Sequence, residues 1–282
     1  MDDLWILYNN SFDTGMPNPA TRMLDEAINN NINAKLMFVD YFKEENNIIY
    51  YKDKVISLLP KIVLMRANNI DVAKMFEKKH VKIINSTKSI LLCRDKYMTH
   101  KLVNDLYIPQ IKTELLNNLT FNEIIKKYNL PFILKYRYGK QGENIYLIDN
   151  ELKFNEIIKN INKDDYIIQE YIKESYGVDI RVLIVEDEII GAVKRENKSD
   201  FKSNLAQGGL SYDYKISSKV YKDSLMIAKK IGADIVSVDY LISKSGLLFC
   251  EANTNPGFNS FCYLGYDVRK TFMHHIKEML NK

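Results

Sequence analysis

Three cysteines in 282 residues, Cys93, Cys250 and Cys262, are too few and too widely spaced for a disulfide framework. No CxxC pair occurs and the four histidines are scattered, so a Cys/His zinc centre is not expected. Glycine (11) and proline (6) are scarce, which excludes a collagen-like chain. There is neither a GxxxxGK[ST] loop nor a nucleotide-binding GxGxxG, which argues against P-loop and Rossmann sites. No apolar run approaches the ~20 residues that span a bilayer. The start, Met1-Asp2-Asp3, is acidic where a secretory signal would be basic. An excess of one charge is missing too: 40 Lys+Arg against 36 Asp+Glu leave +4, too mild to argue for nucleic acid or a membrane surface. The expectation is a cytoplasmic protein with no nucleic-acid and no membrane partner.

What is present is an ordinary soluble balance, 46% apolar and 27% charged, which also excludes disorder and a coiled-coil rod. At roughly 150 residues per domain the length predicts about two domains. The first 85 or so residues alternate strands and helices: strands at Leu4–Tyr8, 34–39 and Ile62–Met65, a helix over about 21–30, a hairpin near 47–57 and a charged helix ending near Lys79. A helical stretch over about 90–106 leads into a second region. There the strand 131–136 and the strand 144–148 flank a loop holding Gly139 and Gly142 and predict a hairpin. A helix near 153–161 and the strand 166–172 follow. The last region holds an antiparallel pair, 179–185 with 189–195, a helix after Ser218 stopped by Gly232, and a final hairpin, 235–242 with 247–252.

That final hairpin carries the chemistry. Glu251 and Asn253 are two apart on a strand and share a face. With the turn centred on Ser245, Asp239 lies opposite Glu251. Two carboxylates that close repel unless a cation lies between them. An all-oxygen set favours Mg²⁺ or Mn²⁺. A merely solvated face fits less well, since Asp and Asn are weak strand formers. Lys135 ends an apolar strand just before the two-glycine loop. It reads either as a lysine snorkelling from a strand end or as a phosphate contact beneath loop N–H groups. Gln169-Glu170-Tyr171-Ile172 reads as a strand end or a linker whose backbone meets an adenine edge. Lys194, Arg195, Lys198, Lys202 and Asn204 precede Gly208-Gly209, with Arg181 on the paired strand. They form either a basic solvated loop or a clamp on a transferring phosphate.

In this order the pieces resemble the ATP-grasp superfamily, and within it the RimK-like carboxylate–amine ligases. The resemblance is strongest from about Asn85 onward. It rests on Asn85-Ser86 with Arg94-Asp95-Lys96, on Gln169 to Glu174 with Gly177-x-Asp179-Ile180-Arg181, on Asp200 to Leu205 with Gly208-Gly209, and on Val238-Asp239 with Glu251-x-Asn253-x-x-Pro256-Gly257. It implies an α/β fold of α+β lobes: a pre-ATP-grasp domain over 1–88 and an ATP-grasp domain over 89–282, with a central lobe of about 89–171 and a C-terminal lobe of about 172–282. It implies that Lys96 and Lys135 contact ATP phosphates and that Glu170 and Tyr171 hold adenine. Asp179 would bond the ribose, and Lys202, Ser203 and Asn204 would lie along the triphosphate. Asp239, Glu251 and Asn253 would bind two Mg²⁺ or Mn²⁺ ions. Arg181 and Arg195 are the catalytic candidates, stabilising charge on an acyl phosphate. Lys202 replaces an arginine of the family pattern, and a lysine lacks the bidentate fork. Arg66, after the Ile62–Met65 strand, could reach the cleft.

The implied activity is ATP-dependent formation of an amide through an acyl phosphate. The partners are ATP and an amino acid, peptide or carrier acceptor, in a chain able to form homo-oligomers. Two alternatives stay open: a small-molecule kinase on a similar fold, and a nucleotide-binding module without turnover.

Overall fold

The computed structural model describes residues 2–14, 18–139, 144–198, 201 and 210–281. The first region runs β1 (Leu4–Tyr8), α1 (Pro19–Asn29), β2 (Ala34–Phe38), β3 (Phe42–Glu45), β4 (Ile48–Tyr51), β5 (Lys54–Val55), β6 (Ile62–Met65), α2 (Ile70–Glu77) and β7 (Lys82–Ile84). Strand β1 is buried on both faces, as a strand inside a parallel sheet must be, and the sheet order is β2-β1-β6-β7. Asn18 starts α1 through a reciprocal cap with Thr21. The hairpin expected near 47–57 is one half of a three-stranded meander, β3-β4-β5, that begins at Phe42.

The middle region holds α3 (Thr87–Arg94), α4 (Lys96–Asn104), β8 (Thr113–Leu115), α5 (Phe121–Ile125), β9 (Phe132–Tyr136), β10 (Ile145–Ile148), α6 (Glu151–Ile158) and β11 (Tyr166–Glu170). The single helix expected over 90–106 is broken at Asp95. That residue is extended, and its carboxylate accepts from Met98 N at 3.1 Å to cap α4. The β9–β10 hairpin forms as expected, with Lys135 opposite Ile145. The four strands order as β10-β9-β11-β8, and β11 lies antiparallel beside β9. One face of this sheet buries Phe132, Leu134 and Ile168 against Phe121, Ile124 and Phe154 of α5 and α6. Lys135, by strand alternation, points out of the other face.

The last region holds β12 (Val178–Val185), β13 (Glu188–Glu196), β14 (Leu210–Asp213), α7 (Ser218–Ile231), β15 (Ile235–Ser243), β16 (Gly246–Asn253), α8 (Asn259–Tyr263) and α9 (Val268–Leu280). Its sheet orders as β14-β13-β12-β15-β16, all antiparallel. The back face, with Ile180, Val182, Val236 and Val238, packs on Ile227, Ala228 and Ile231 of α7 and on Cys93 and Val103 of α3 and α4. The front face divides. Near one end Leu183, Val185, Val193 and Ile235 join Leu4, Ile6 and Met23 of the first region and Phe272, Met273 and Ile276 of α9 in a single core. Toward the other end the same face carries charge.

Candidate active site

Strand pairing lines that charge up. Across β13, β12, β15 and β16, Arg195 lies opposite Asp179, Arg181 opposite Asp239, and Asp239 opposite Glu251. Positions 179 and 181, and 251 and 253, are two apart, so all six side chains share the front face. Arg181 grips Asp239 through Nε and Nη2 at 2.8 and 2.6 Å. Arg195 grips Asp179 through the same two nitrogens and also reaches Asp239 at 3.1 Å. Asp179, Arg195 and Asp239 are buried. Asn253 Nδ2 donates to Glu251 at 3.2 Å.

The middle sheet faces this row. Lys135 Nζ crosses the cleft to Glu251 at 2.8 Å. Lys96, at the start of α4, donates to the Gly139 carbonyl beside the glycine loop. Burial works against the charge of Glu251, but Lys135 and Lys96 outweigh it and hold the carboxyl well below its usual range. Burial also opposes the charge of Lys135, and Glu251 more than restores it, raising that ammonium. For Lys96 the compensation falls short: burial and then the Lys135 charge outweigh the pull of Glu251 and push it down to about 8. Burial pushes the Cys250 thiol up to about 12, so it stays protonated.

The structure thus brings Lys96, Lys135, Asp179, Arg181, Arg195, Asp239, Glu251 and Asn253 to one cleft. Glu170 ends β11, its carboxylate accepting from Lys112 N at 2.8 Å, and half-buried Tyr171 follows. Lys202, Ser203, Asn204 and Gly208-Gly209 lie outside the described residues, as do Gln141 and Gly142 of the glycine loop. Arg66 ends beside the loop that follows Asn253. It donates to the Pro256 carbonyl at 2.9 Å and lies 5.3 Å from the centre of the Phe258 ring.

Asp239 and Glu251 face each other for a reason that differs in detail from a turn centred on Ser245. The turn is the two residues Lys244-Ser245, with Ser243 opposite Gly246 and Tyr240 opposite Phe249. That register would set Asp239 against Cys250. The pairing shifts by one residue between Tyr240 and Asp239, leaving Cys250 as a bulge and bringing Glu251 into place. Sequence reasoning also missed His100, which bonds the bulge carbonyl. A lone histidine on a helix gives no signal by itself.

The donor set suits a divalent cation. Asp239 and Glu251 supply carboxylate oxygens side by side, and Asn253 adds an amide oxygen, the all-oxygen chemistry of Mg²⁺. In the structure Lys135, Arg181 and Arg195 supply the counter-charge those carboxylates need.

Comparison with known proteins agrees with the geometry. The profile of the RimK-like ATP-grasp domain matches residues 93–276. A probable alpha-L-glutamate ligase of Haemophilus ducreyi is 28% identical over 193 residues, 67% of this chain and 63% of that relative's length. A probable alpha-L-glutamate ligase of Shewanella sp. (strain W3-18-1) is 31% identical over 217 residues, 74% of this chain and 71% of the relative. Among solved structures, the ATP-grasp ligase PsnB in complex with a precursor variant, Mg and ADP superposes with a TM-score of 0.73 at 14% identity, covering 100% of this chain and 99% of that one. The fold is that of ATP-grasp ligases, and this chain belongs to the RimK-like ATP-grasp family of ligases.

Proposed function

We propose that the protein is an ATP-dependent carboxylate–amine ligase, working through an acyl phosphate, that adds glutamate or another amino acid to a peptide, protein or cofactor. The observation that carries the reading is the paired Asp239 and Glu251, the first buried and the second half-buried, backed by Asn253 and faced across the cleft by Lys135. ATP lies between the two sheets, with adenine at the Glu170–Tyr171 rim and phosphates toward Lys96 and Lys135. Asp239, Glu251 and Asn253 would hold two Mg²⁺ ions, which would neutralise triphosphate charge and orient the γ-phosphate. The names of the two glutamate ligases support the amino-acid substrate, and the precursor in the PsnB complex supports a peptide acceptor.

The chain's own groups act mainly by electrostatics. A substrate carboxylate attacks the γ-phosphate, giving an acyl phosphate and ADP. Lys135 and Lys96 stabilise charge on the phosphate oxygens in that step. An amine then attacks the activated carbonyl and expels phosphate. Arg181 and Arg195, planar and always charged, stabilise the negative charge that develops there. The two facing sheets would exclude water, which would otherwise hydrolyse the acyl phosphate.

The test is paired measurement of ADP and phosphate release with ATP, Mg²⁺ and a panel of amino acids and peptides, with mass spectrometry of each product. Equal ADP and phosphate release with a new amide mass is expected. A product heavier by a phosphoryl group, with no free phosphate, would make the protein a kinase and end the ligase reading.

A further inference from the structure

The buried histidine His100 lies outside the chemistry described above, yet it touches the feature on which the metal-ligand geometry depends. A strand alternates its faces, so a one-residue slip reverses them. Phe249 points to the back core. Were Cys250 paired in the regular ladder instead of bulged, Glu251 would also point back, against Val238. The bulge is therefore what turns Glu251 and Asn253 toward Asp239.

A bulge releases a residue from the ladder and leaves its backbone groups in need of partners. His100 Nε2 lies 3.0 Å from the Cys250 carbonyl oxygen. The ring is 4% exposed and stands edge-on to Phe249, centroids 5.1 Å apart. Its other nitrogen, Nδ1, lies 2.7 Å from Gln110 Oε1. The chain at Gln110 clasps the same stretch of β16: Phe249 N donates to Pro109 O at 2.9 Å, and Ile111 N donates to Phe249 O at 3.1 Å. Nε2 of Gln169, on β11, lies 3.0 Å from His100 Nε2 and donates to Thr113 Oγ1 at 3.1 Å. Elements from α4, the 109–111 segment and the middle sheet thus gather at the Phe249–Cys250 stretch, with His100 on the bulge carbonyl. A neutral ring has one N–H. Placed on Nε2, with the Gln110 and Gln169 side-chain amides each turned end for end, it satisfies that carbonyl, Nδ1 accepts from the Gln110 NH2 group, and the Gln169 oxygen faces the ring N–H in place of a second donor. Placed on Nδ1 it leaves the carbonyl facing a bare lone pair, at about 1–3 kcal/mol for a buried acceptor.

We propose that His100 is a positioning residue: by donating from Nε2 to the Cys250 carbonyl it fixes the bulge that sets Glu251 opposite Asp239, and so sets the protein's affinity for a divalent cation. The inference rests on the assignment of Asp239 and Glu251 as metal ligands. Outer partners of this kind typically change metal affinity 10–100-fold.

The test is Mn²⁺ binding, followed by electron paramagnetic resonance, to the protein saturated with a non-hydrolysable ATP analogue. His100→Gln places an amide donor near the Nε2 position. His100→Asn reaches only the Nδ1 position, and His100→Leu keeps volume without a donor. The expected result is a 10–100-fold weaker Mn²⁺ affinity in His100→Leu and His100→Asn and recovery to within about threefold in His100→Gln, a ranking that general loss of packing would not produce. Wild-type affinity in folded His100→Leu, or equal affinity in His100→Gln and His100→Asn, overturns the proposal. If His100→Leu does not fold, the Gln/Asn comparison decides alone. Glu251→Gln is measured alongside: undiminished Mn²⁺ affinity there overturns the ligand assignment itself, whereas weakened binding there with unaffected His100 variants overturns only the role of His100.

Discussion

Replacing Lys96 by methionine should stabilise the nucleotide-free protein while damaging its use of ATP. Lys96 is 8% exposed, and burial together with the Lys135 charge moves it from 10.5 to about 8. At about 1.36 kcal/mol per unit, keeping it charged near pH 7 costs roughly 3 kcal/mol of folding free energy. Its pKa is lower folded than unfolded, so between about pH 8 and 10.5 the unfolded chain binds more protons and stability rises with pH. Below about pH 8 the whole penalty is present. Methionine keeps most of the aliphatic stem and removes the charge. It also gives up the bond to the Gly139 carbonyl, which returns about 1 kcal/mol. The expected gain is therefore about 2 kcal/mol at pH 7, shrinking to near zero by pH 10. Urea unfolding of both proteins at the two pH values, without nucleotide, measures it. Calorimetry should show ATP affinity falling about 10–100-fold, the loss of a charge-assisted contact. A variant less stable than its parent at pH 7, or a stability gap that ignores pH, would refute the reasoning.

Asp239→Asn leaves two guanidinium groups against a neutral amide at a position whose side chain is 3% exposed. Arg195 keeps Asp179, so the protein should still fold, about 2–4 kcal/mol less stable by urea titration, and should form no ADP in a coupled assay. Retained ADP formation would remove Asp239 from the metal set. At Gly191 an added methyl would meet Tyr266 ring carbons at 2.5 and 2.7 Å, so Gly191→Ala must displace a ring whose hydroxyl donates to Asp213. A loss of about 1–3 kcal/mol is expected, and an unchanged melting temperature would show that the ring yields freely.

The cleft was legible because its residues follow local rules. Glu251 and Asn253 share a face by strand alternation alone, and Lys135 interrupts an apolar strand. The bulge at Cys250 was not legible: no residue type marks it, and only the true turn at Lys244-Ser245 reveals that a register shift is required. Asp95 hid the break between α3 and α4 because both flanks are helical in pattern, and its capping role shows only in three dimensions. Helix α9 was legible and overlooked: Val268, Phe272, Met273 and Ile276 form an apolar stripe at helical spacing. Strand β8, with three residues, is too short for any periodicity to register. The pairing of Arg195 with both Asp179 and Asp239 depends on which strands are neighbours, and two of those neighbours lie more than forty positions apart in the chain.

The distribution of apolar cores has a mechanical consequence. The core of the first region is shared with β12, β13, β15 and α9, and α3 and α4 share theirs with the last sheet, so these parts form one body through packed side chains. The middle sheet with α5 and α6 keeps a core of its own, drawn from residues 116–168. It can swing as a unit without exposing either apolar interior, and hydration therefore opposes the motion little. What it must break is polar: the Lys135–Glu251 and Arg137–Asp95 ion pairs, the bonds of Lys96 to the Arg137 and Gly139 carbonyls, and the contact of Gln169 with His100. The cleft is latched by charge and hinged between cores, so salt and ligand charge, more than temperature, should govern how wide it stands.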